Sequence, residues 1–248
     1  MNVLLTNDDG VQAPALRALR EALAPLGRVI VVAPDRDQSA ASHALTLHRP
    51  FRIQQHEPDV YSVDGTPTDC VITSFYGLLD RRPDLVVSGV NLGPNMGEDV
   101  FYSGTVAAAI EGALQGVPAI AASWAGRLAP DWSEPAAFVA RLAARLLERG
   151  LPRRHLLNVN LPARPWPEVR GVKVTRLGSR IYHDTLVKKV DPRGRDYYWI
   201  GGEDPEWEAI AGTDFHAVHQ GWISVTPMRL DLTADGALAE LEAWELGK

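Results

Sequence analysis

The sequence predicts an α/β protein built on a doubly wound, mostly parallel sheet, with a protruding β-hairpin and a C-terminal segment. Three observations lead there. Short apolar β-rich runs alternate with amphipathic helical stretches from the N-terminus to about residue 165. The links between them are short, as strand-helix-strand units of a parallel sheet require. Beyond residue 165 the pattern changes to two aromatic, β-rich arms around a turn, then one late strand and a helical tail.

The elements follow in order. Asn2 to Thr6 is the first apolar run. In "APALRALREALAPLG", Leu16, Leu19 and Leu23 share one helical face, and Pro14 suits a first turn. Gly27 stops that helix, and "RVIVVAP" follows as a fully apolar strand. "DCVITSFYGLL" reads as a helix, with Asp64 or Thr66 of "DGTPTDCV" as its cap, and "PDLVVSGVN" as a strand running into a polar loop. "SGTVAAAIEGALQ" is an Ala-rich helix stopped by Gly116, and "VPAIAAS" is another strand. "EPAAFVARLAARLLERG" is amphipathic and helical, and "HLLNVNLP" is a further strand. Residues 1–165 therefore read as a Rossmann-like α/β catalytic core.

Residues 166–248 are expected to complete the same domain and to form a subunit interface. "IYHDTLVKKVDPRGRDYYWIGG" places β-rich arms on either side of "DPRG", a turn-forming stretch. That hairpin is longer and more aromatic than a sheet edge needs, so it is expected to pack on another subunit. "GWISVTPMRLDLT" is the late strand and "ADGALAELEAWEL" the terminal helix. There is no internal repeat.

Composition narrows the function. The 248 residues are 46% hydrophobic and 23% charged, ample for a core, with a net charge of -6. A nucleic-acid binder would carry a basic face to replace phosphate counterions, so a polymer of that kind is not an expected partner. Cys70 is the only cysteine, which excludes an internal disulfide and a zinc-cysteine cluster. No charged leader precedes an apolar stretch and no apolar run reaches the ~18 residues of a membrane span, so the expected location is cytoplasmic.

In an open α/β sheet, ligands bind outside the carboxyl ends of the strands. Three polar loops fall there: Asn7 to Gly10, residues 34–43 ("PDRDQSAASH") and residues 88–105 ("SGVNLGPNMGEDVFYSGT"). The adjacent Asp8 and Asp9 repel each other. A hard divalent cation, Mg²⁺, Mn²⁺ or Ca²⁺, would hold both ionised and suits carboxylate, hydroxyl and amide oxygens. A helix cap plus a solvated carboxylate is the plainer reading of such a pair. Ser103, Gly104 and Thr105 open a helix whose first N–H groups favour an anion. Plain capping by Ser103 would need no ligand. Cation and anion sites together suggest metal-assisted phosphoryl chemistry. No Walker motif and no GxGxxG after a strand points to an ATPase or a dinucleotide enzyme.

The stretches "TNDDG" (6–10), "APDRDQSAASHALT" (33–46), "DGTPTDCV" (64–71), "SGVNLGPNMGEDVFYSGTVAAAIEG" (88–112) and "GTDFHAVHQGWISVTPM" (212–228) resemble the SurE family of stationary-phase survival proteins. The resemblance spans nearly the whole chain. It implies a 5'-nucleotidase that hydrolyses nucleoside 5'-monophosphates, and leaves open whether 3'-nucleotides and short polyphosphate are also cleaved. It implies one divalent metal on Asp8, Asp9, Ser39 and Asn91, with Asn95, Ser103, Gly104 and Thr105 around the phosphate. Asp8, Asp9 and Asn95 are then the candidate catalytic residues, and His43 is a candidate acid or substrate contact. The base stays open between Asp8 and a metal-activated water. The family also implies a homodimer or homotetramer in which hairpin and C-terminal segment are exchanged. Two rivals are an aspartyl-phosphate phosphatase, which would usually show D-x-D, and a metal-dependent nucleotide-binding regulator without turnover.

Overall fold

The computed structural model describes residues 1–128, 131–181, 185–201, 206–244 and 246. The chain runs β1 (Asn2–Thr6), α1 (Pro14–Leu23), β2 (Arg28–Pro34), β3 (Ile53–Glu57), β4 (Val60–Val63) and α2 (Pro67–Thr73). It continues through β5 (Leu85–Leu92), α3 (Gly104–Leu114), β6 (Ala119–Ala125), α4 (Ser133–Arg149), β7 (His155–Pro162) and β8 (Val172–Val174). It ends with β9 (Arg180–Ile181), β10 (Thr185–Val190), β11 (Asp196–Gly201), β12 (Glu206–Trp207), α5 (Asp214–His219), β13 (Ile223–Arg229) and α6 (Asp235–Glu242).

Nine strands form one sheet in the order β3-β4-β2-β1-β5-β6-β7-β13-β8. From β4 to β7 all neighbours are parallel, while β3 and β13 run antiparallel to β4 and β7. The chain leaves β1 toward β2 and leaves β5 toward β6, in opposite directions, so a crevice opens between the carboxyl ends of β1 and β5. That crevice is where Asp8, Asp9 and Asn91 lie.

Each strand alternates between two cores, as period-2 geometry demands. Val3, Leu5, Val29, Val31, Leu85 and Val87 pack with Leu16, Leu19 and Leu23 of α1 and with Val139 and Leu146 of α4. Leu4, Ile30, Val32 and Val86 face the other way, onto Val71 and Phe75 and onto Val106 and Ala109 of α3. Both faces are covered, which explains why these strands are apolar without interruption. Burying each such Leu stabilises by roughly 1.5–3 kcal/mol.

Local chemistry sets the boundaries. After α1, a turn over Ala24–Leu26 leads to Gly27 at φ +143, where a Cβ would come within 2.5 Å of the Met1 carbonyl oxygen. Thr66, rather than Asp64, caps α2: its Oγ1 accepts from Asp69 N–H while the Asp69 carboxylate accepts from Thr66 N–H. That helix starts earlier than the apolar pattern suggests and ends sooner, widening into one turn over Ser74–Leu78. Gly150 at φ +73 follows α4. Pro227 is tolerated inside β13 because β8 pairs only with Ile223 to Val225 and leaves that edge open.

Sequence reasoning passed over β3 and β4, although β4 carries the short β-rich run "VYSV". Every residue of β3 is exposed, so pairing with β4 orders it rather than an apolar face. The short α5, capped by Thr213, was passed over as well. The expected hairpin is present as β10 and β11, a two-stranded sheet separate from the main one. Its turn is closed by Asp191, whose carboxylate accepts from Arg193 N–H and Arg195 N–H at 2.8 and 2.9 Å. Tyr198, Trp199 and Ile200 lie exposed on it, Ile200 at 85%. Residues 182–184 and 202 of the expected arms lie outside the described residues. α6 buries no residue and exposes Leu238 and Leu241. Among the described residues, no helix is long and apolar enough to cross a membrane.

Candidate metal and phosphate site

Three loops are stitched together at the crevice by their backbones. Gln38 N–H donates to the Asp8 carbonyl at 2.8 Å, binding the β2 loop to the β1 loop. Ser42 donates through its N–H to the Tyr102 carbonyl (3.1 Å) and through its Oγ to the Phe101 carbonyl (2.6 Å), binding the β2 loop to the β5 loop. Asn7 Nδ2 donates to the Gly10 carbonyl at 2.9 Å and tightens the turn behind the Asp pair.

Asp8 is buried and sits on the first turn of α3. Thr105 Oγ1 donates to Asp8 Oδ1, and Thr105 N–H donates to Oδ2 at 3.1 Å. Burial raises the Asp8 carboxyl above the usual carboxylate range, and the Thr105 bonds oppose this. Burial, with the Asp8 charge second, pushes Asp9 up to about 6, while the Leu92 amide donates to it. Asp37 adds negative charge near both. Sequence reasoning passed over Asp37, although "PDRDQS" displays it.

Gly104 explains how helix and carboxylate come so close. A Cβ there would lie 3.0 Å from Asp8 Cβ and 3.1 Å from Pro67 Cγ. On β5, a register shift between Ser88 and Asn91 carries Asn91 outward toward the crevice. Gly89 makes the shift possible, since a Cβ there would run into the Ala122 carbonyl oxygen. Asn91 Nδ2 donates to the Gly93 carbonyl at 2.8 Å, which commits the nitrogen and leaves Oδ1, the atom a cation would take. Ser39 is exposed on its loop, and its N–H donates to Asp37 Oδ1 at 2.7 Å.

The residues expected around a phosphate are partly committed elsewhere. Ser103 Oγ accepts from Val106 N–H as an N-cap, and Thr105 is occupied with Asp8. The Gly104 N–H is taken up by neither. Asn95 is buried, and its Nδ2 donates to Ser123 Oγ at 2.8 Å. His43 is not brought onto the Asp pair. Its Nε2 lies 3.1 Å from Glu111 Oε2, about 10 Å along α3 from the helix start, counting 1.5 Å per residue. Hydrogen bonding from His43 holds the Glu111 carboxyl below its usual value. His43 faces instead an apolar groove of about 870 Å³ shared with Phe101, Ile110, Leu177 and Met228.

Buried carboxylates outside the crevice anchor these loops, and sequence reasoning missed their roles. Asp69 accepts from Thr46 N–H (3.0 Å) and Thr46 Oγ1 (2.6 Å), pinning the far end of the β2 loop onto α2. Asp214 accepts from Gly97 N–H at 2.9 Å and Gly178 N–H at 2.8 Å, pinning the β5 loop onto α5. The capping-box spacing in "TPTD" was a usable signal for Asp69; Asp214 had none, because its partners are distant in sequence.

The donors suit a hard cation. Among the described residues no three His, Cys, Asp or Glu side chains gather as a metal-holding group. A cation in the crevice would draw on two carboxylates and neutral oxygens, a set for magnesium, manganese or calcium rather than zinc. It would also offset the burial, and then the Asp8 charge, that raise Asp9.

Residues 3–184 match the family described as "Survival protein SurE". The chain is 54% identical over 247 residues to a protein named 5'-nucleotidase SurE from Geobacter sulfurreducens, covering 99% of this chain and 94% of that one. It is 52% identical over 247 residues to the 5'-nucleotidase SurE of Geotalea daltonii, covering 99% and 100%. The crystal structure of the SurE protein from Aquifex aeolicus superposes with a TM-score of 0.88 at 45% identity, covering 99% of this chain and all of that one.

Proposed function

The chain belongs to the SurE family and is a metal-dependent 5'-nucleotidase, and we propose that its reaction takes place in the crevice between β1 and β5. Asp8, Asp9, Ser39 and Asn91 would hold one divalent cation, magnesium or manganese, with calcium fitting the same oxygens. Bound there, it would supply positive charge that favours attack on the phosphate.

The chain's own residues do the rest. Thr105 fixes both oxygens of Asp8, which makes Asp8 an oriented ligand rather than a proton acceptor. The Gly104 N–H and the positive end of α3 bind the phosphate, and Asn95 orients it through its side-chain amide. In-line attack by water forms the new P–O bond as the bond to the nucleoside 5'-oxygen breaks, and a proton from the water ends on that oxygen, giving nucleoside and inorganic phosphate. Phe101 and Tyr102, both exposed beside the site, suit loose recognition of the base. The protein acts in the cytoplasm on free nucleoside monophosphates. Its hairpin and C-terminal segment join it into a homodimer or homotetramer.

The contact between Asp8 and the first turn of α3 carries this reading, because it sets a metal-type carboxylate against a phosphate-type helix start. The test is phosphate release from a panel of 5'- and 3'-nucleotides and short polyphosphate, with Mn²⁺, Mg²⁺ or EDTA, beside Asp8→Asn. Metal-dependent release from 5'-nucleotides that the variant loses is the expected result. Metal-dependent release that Asp8→Asn retains in full would overturn the assignment of catalysis to this crevice.

A further inference from the structure

Two fully buried asparagines interrupt β7. Asn158 and Asn160 stand at alternate positions among Leu156, Leu157, Val159 and Leu161, on the sheet face that carries α3. Both turn to one residue. Asn160 pairs with the backbone of Asn95 in both directions: its Oδ1 accepts from Asn95 N–H at 2.9 Å and its Nδ2 donates to the Asn95 carbonyl at 2.9 Å. Asn158 Nδ2 donates to the same carbonyl at 2.8 Å. Ser123, paired with Asn160 across β6 and β7, accepts from the Asn95 side chain at 2.8 Å.

Stability alone does not account for this arrangement. Asn158 Oδ1 is buried with no partner among the described residues, a cost that a leucine would avoid. Four hydrogen bonds converge on a single loop residue far away in sequence, and they set both its backbone and the rotation of its amide. A polar cluster of this kind specifies one position for the group it surrounds.

We propose that Ser123, Asn158 and Asn160 are positioning residues of the nucleotidase reaction: they form a seat that aims the Asn95 amide at the substrate phosphate. This rests on the reading that Asn95 contacts the phosphate. The seat belongs to β6 and β7, whereas the cation ligands leave β1, β2 and β5, so the two functions separate in a measurement.

The test compares Ser123→Ala, Asn160→Leu and Asn95→Ala with Thr175→Val. Thr175 is buried and bonded to Ser224 and Thr226, has no bond to Asn95, and reports on buried-polar loss alone. Each variant is assayed for kcat, KM and Mn²⁺ dependence on a nucleoside 5'-monophosphate, with Tm alongside. Ser123→Ala should lose about tenfold in kcat, one hydrogen bond's worth. Asn160→Leu should lose about a hundredfold, as expected for a reacting group displaced by ~1 Å. Mn²⁺ dependence should stay unchanged in both. Should Asn160→Leu fail to fold, Ser123→Ala still decides. Seat variants that lose no more kcat than Thr175→Val at a similar Tm, beside a slow Asn95→Ala, overturn the seat alone. An Asn95→Ala enzyme with normal kcat and KM overturns the phosphate role of Asn95 and the seat with it.

Discussion

Asp9 couples stability to pH in a direction opposite to most carboxylates. Its folded pKa of about 6 exceeds the ordinary 3.8, so the cation-free folded state holds that proton more tightly than the unfolded chain. The stability this contributes is fully present below pH 3.8 and is lost as pH rises through about 6. With EDTA present, Asp9→Asn should therefore gain Tm over the wild type as pH rises from 4.5 to 7.5, at about 2–4 °C per kcal/mol for a chain of this size. A wild type that gains relative to the variant over that range would refute the sign. Protons also compete with the cation, so Mn²⁺ affinity should fall by up to about tenfold per unit below pH 6. Thr105 tests the neighbouring carboxylate. Thr105→Val keeps the shape and the N–H but removes the hydroxyl donor to Asp8, a charge-assisted bond of about 1.5–3 kcal/mol. It should raise the Mn²⁺ concentration for half-maximal activity at least about tenfold; an unchanged titration curve would show that Asp8 is oriented without Thr105.

At the scale of elements, the site depends on how closely α3 approaches the β1 loop. Gly104→Ala sets two effects against each other. Alanine favours helix by up to about 1 kcal/mol, yet its Cβ would sit 3.0 Å from Asp8 Cβ and 3.1 Å from Pro67 Cγ. Neither neighbour yields easily, because Asp8 is tied to Thr105 and Pro67 opens the capped helix α2. The contact should win: kcat falls at least about tenfold, while Tm moves by less than the ~4 °C that 1 kcal/mol can produce. Full activity in Gly104→Ala would mean that the helix start has room to retreat. Asp214 and Asp69 act at the same scale. Each fastens one site loop to a helix through backbone N–H donors, so loops that look long in sequence are anchored at their far ends.

For the whole molecule, the open question is what covers the hairpin. Tyr198, Trp199 and Ile200 are exposed on a ribbon that pairs with no other strand among the described residues, and two-stranded ribbons are marginal by themselves. The proposed assembly supplies the missing surface. Replacing residues 185–201 with a short Gly-Ser turn should shift the protein to smaller species in sedimentation velocity. An unchanged sedimentation profile would assign the interface elsewhere. β9, at the root of the arm, also bears on the site loop: Arg180 N–H donates to Glu98 Oε2 at 2.8 Å, and its guanidinium pairs with Asp99.

By itself the sequence determined whatever depends on local pattern. Uninterrupted apolar runs meant strands covered on both faces, the Leu16-Leu19-Leu23 stripe meant α1, and Gly27 and Gly116 marked helix ends. It also exposed Asp8, Asp9 and the Ser103 helix start as polar points past strand ends, while Ser39 and Asn91 were singled out by the family resemblance. Only the tertiary structure decided which of these touch. Thr105 was legible as a phosphate candidate, yet it grips Asp8 across 97 positions of chain. His43 was legible as a candidate acid or substrate contact, and the fold sets it beside Glu111. Asn158 and Asn160 stood in plain view as two polar letters in an apolar strand, and their meaning came from a loop that the fold lays over them. Hydrogen bonds and ion pairs act within about 3–4 Å in space, whatever the distance along the chain. Sequence periodicity carries the elements; only their packing brings the partners within that reach.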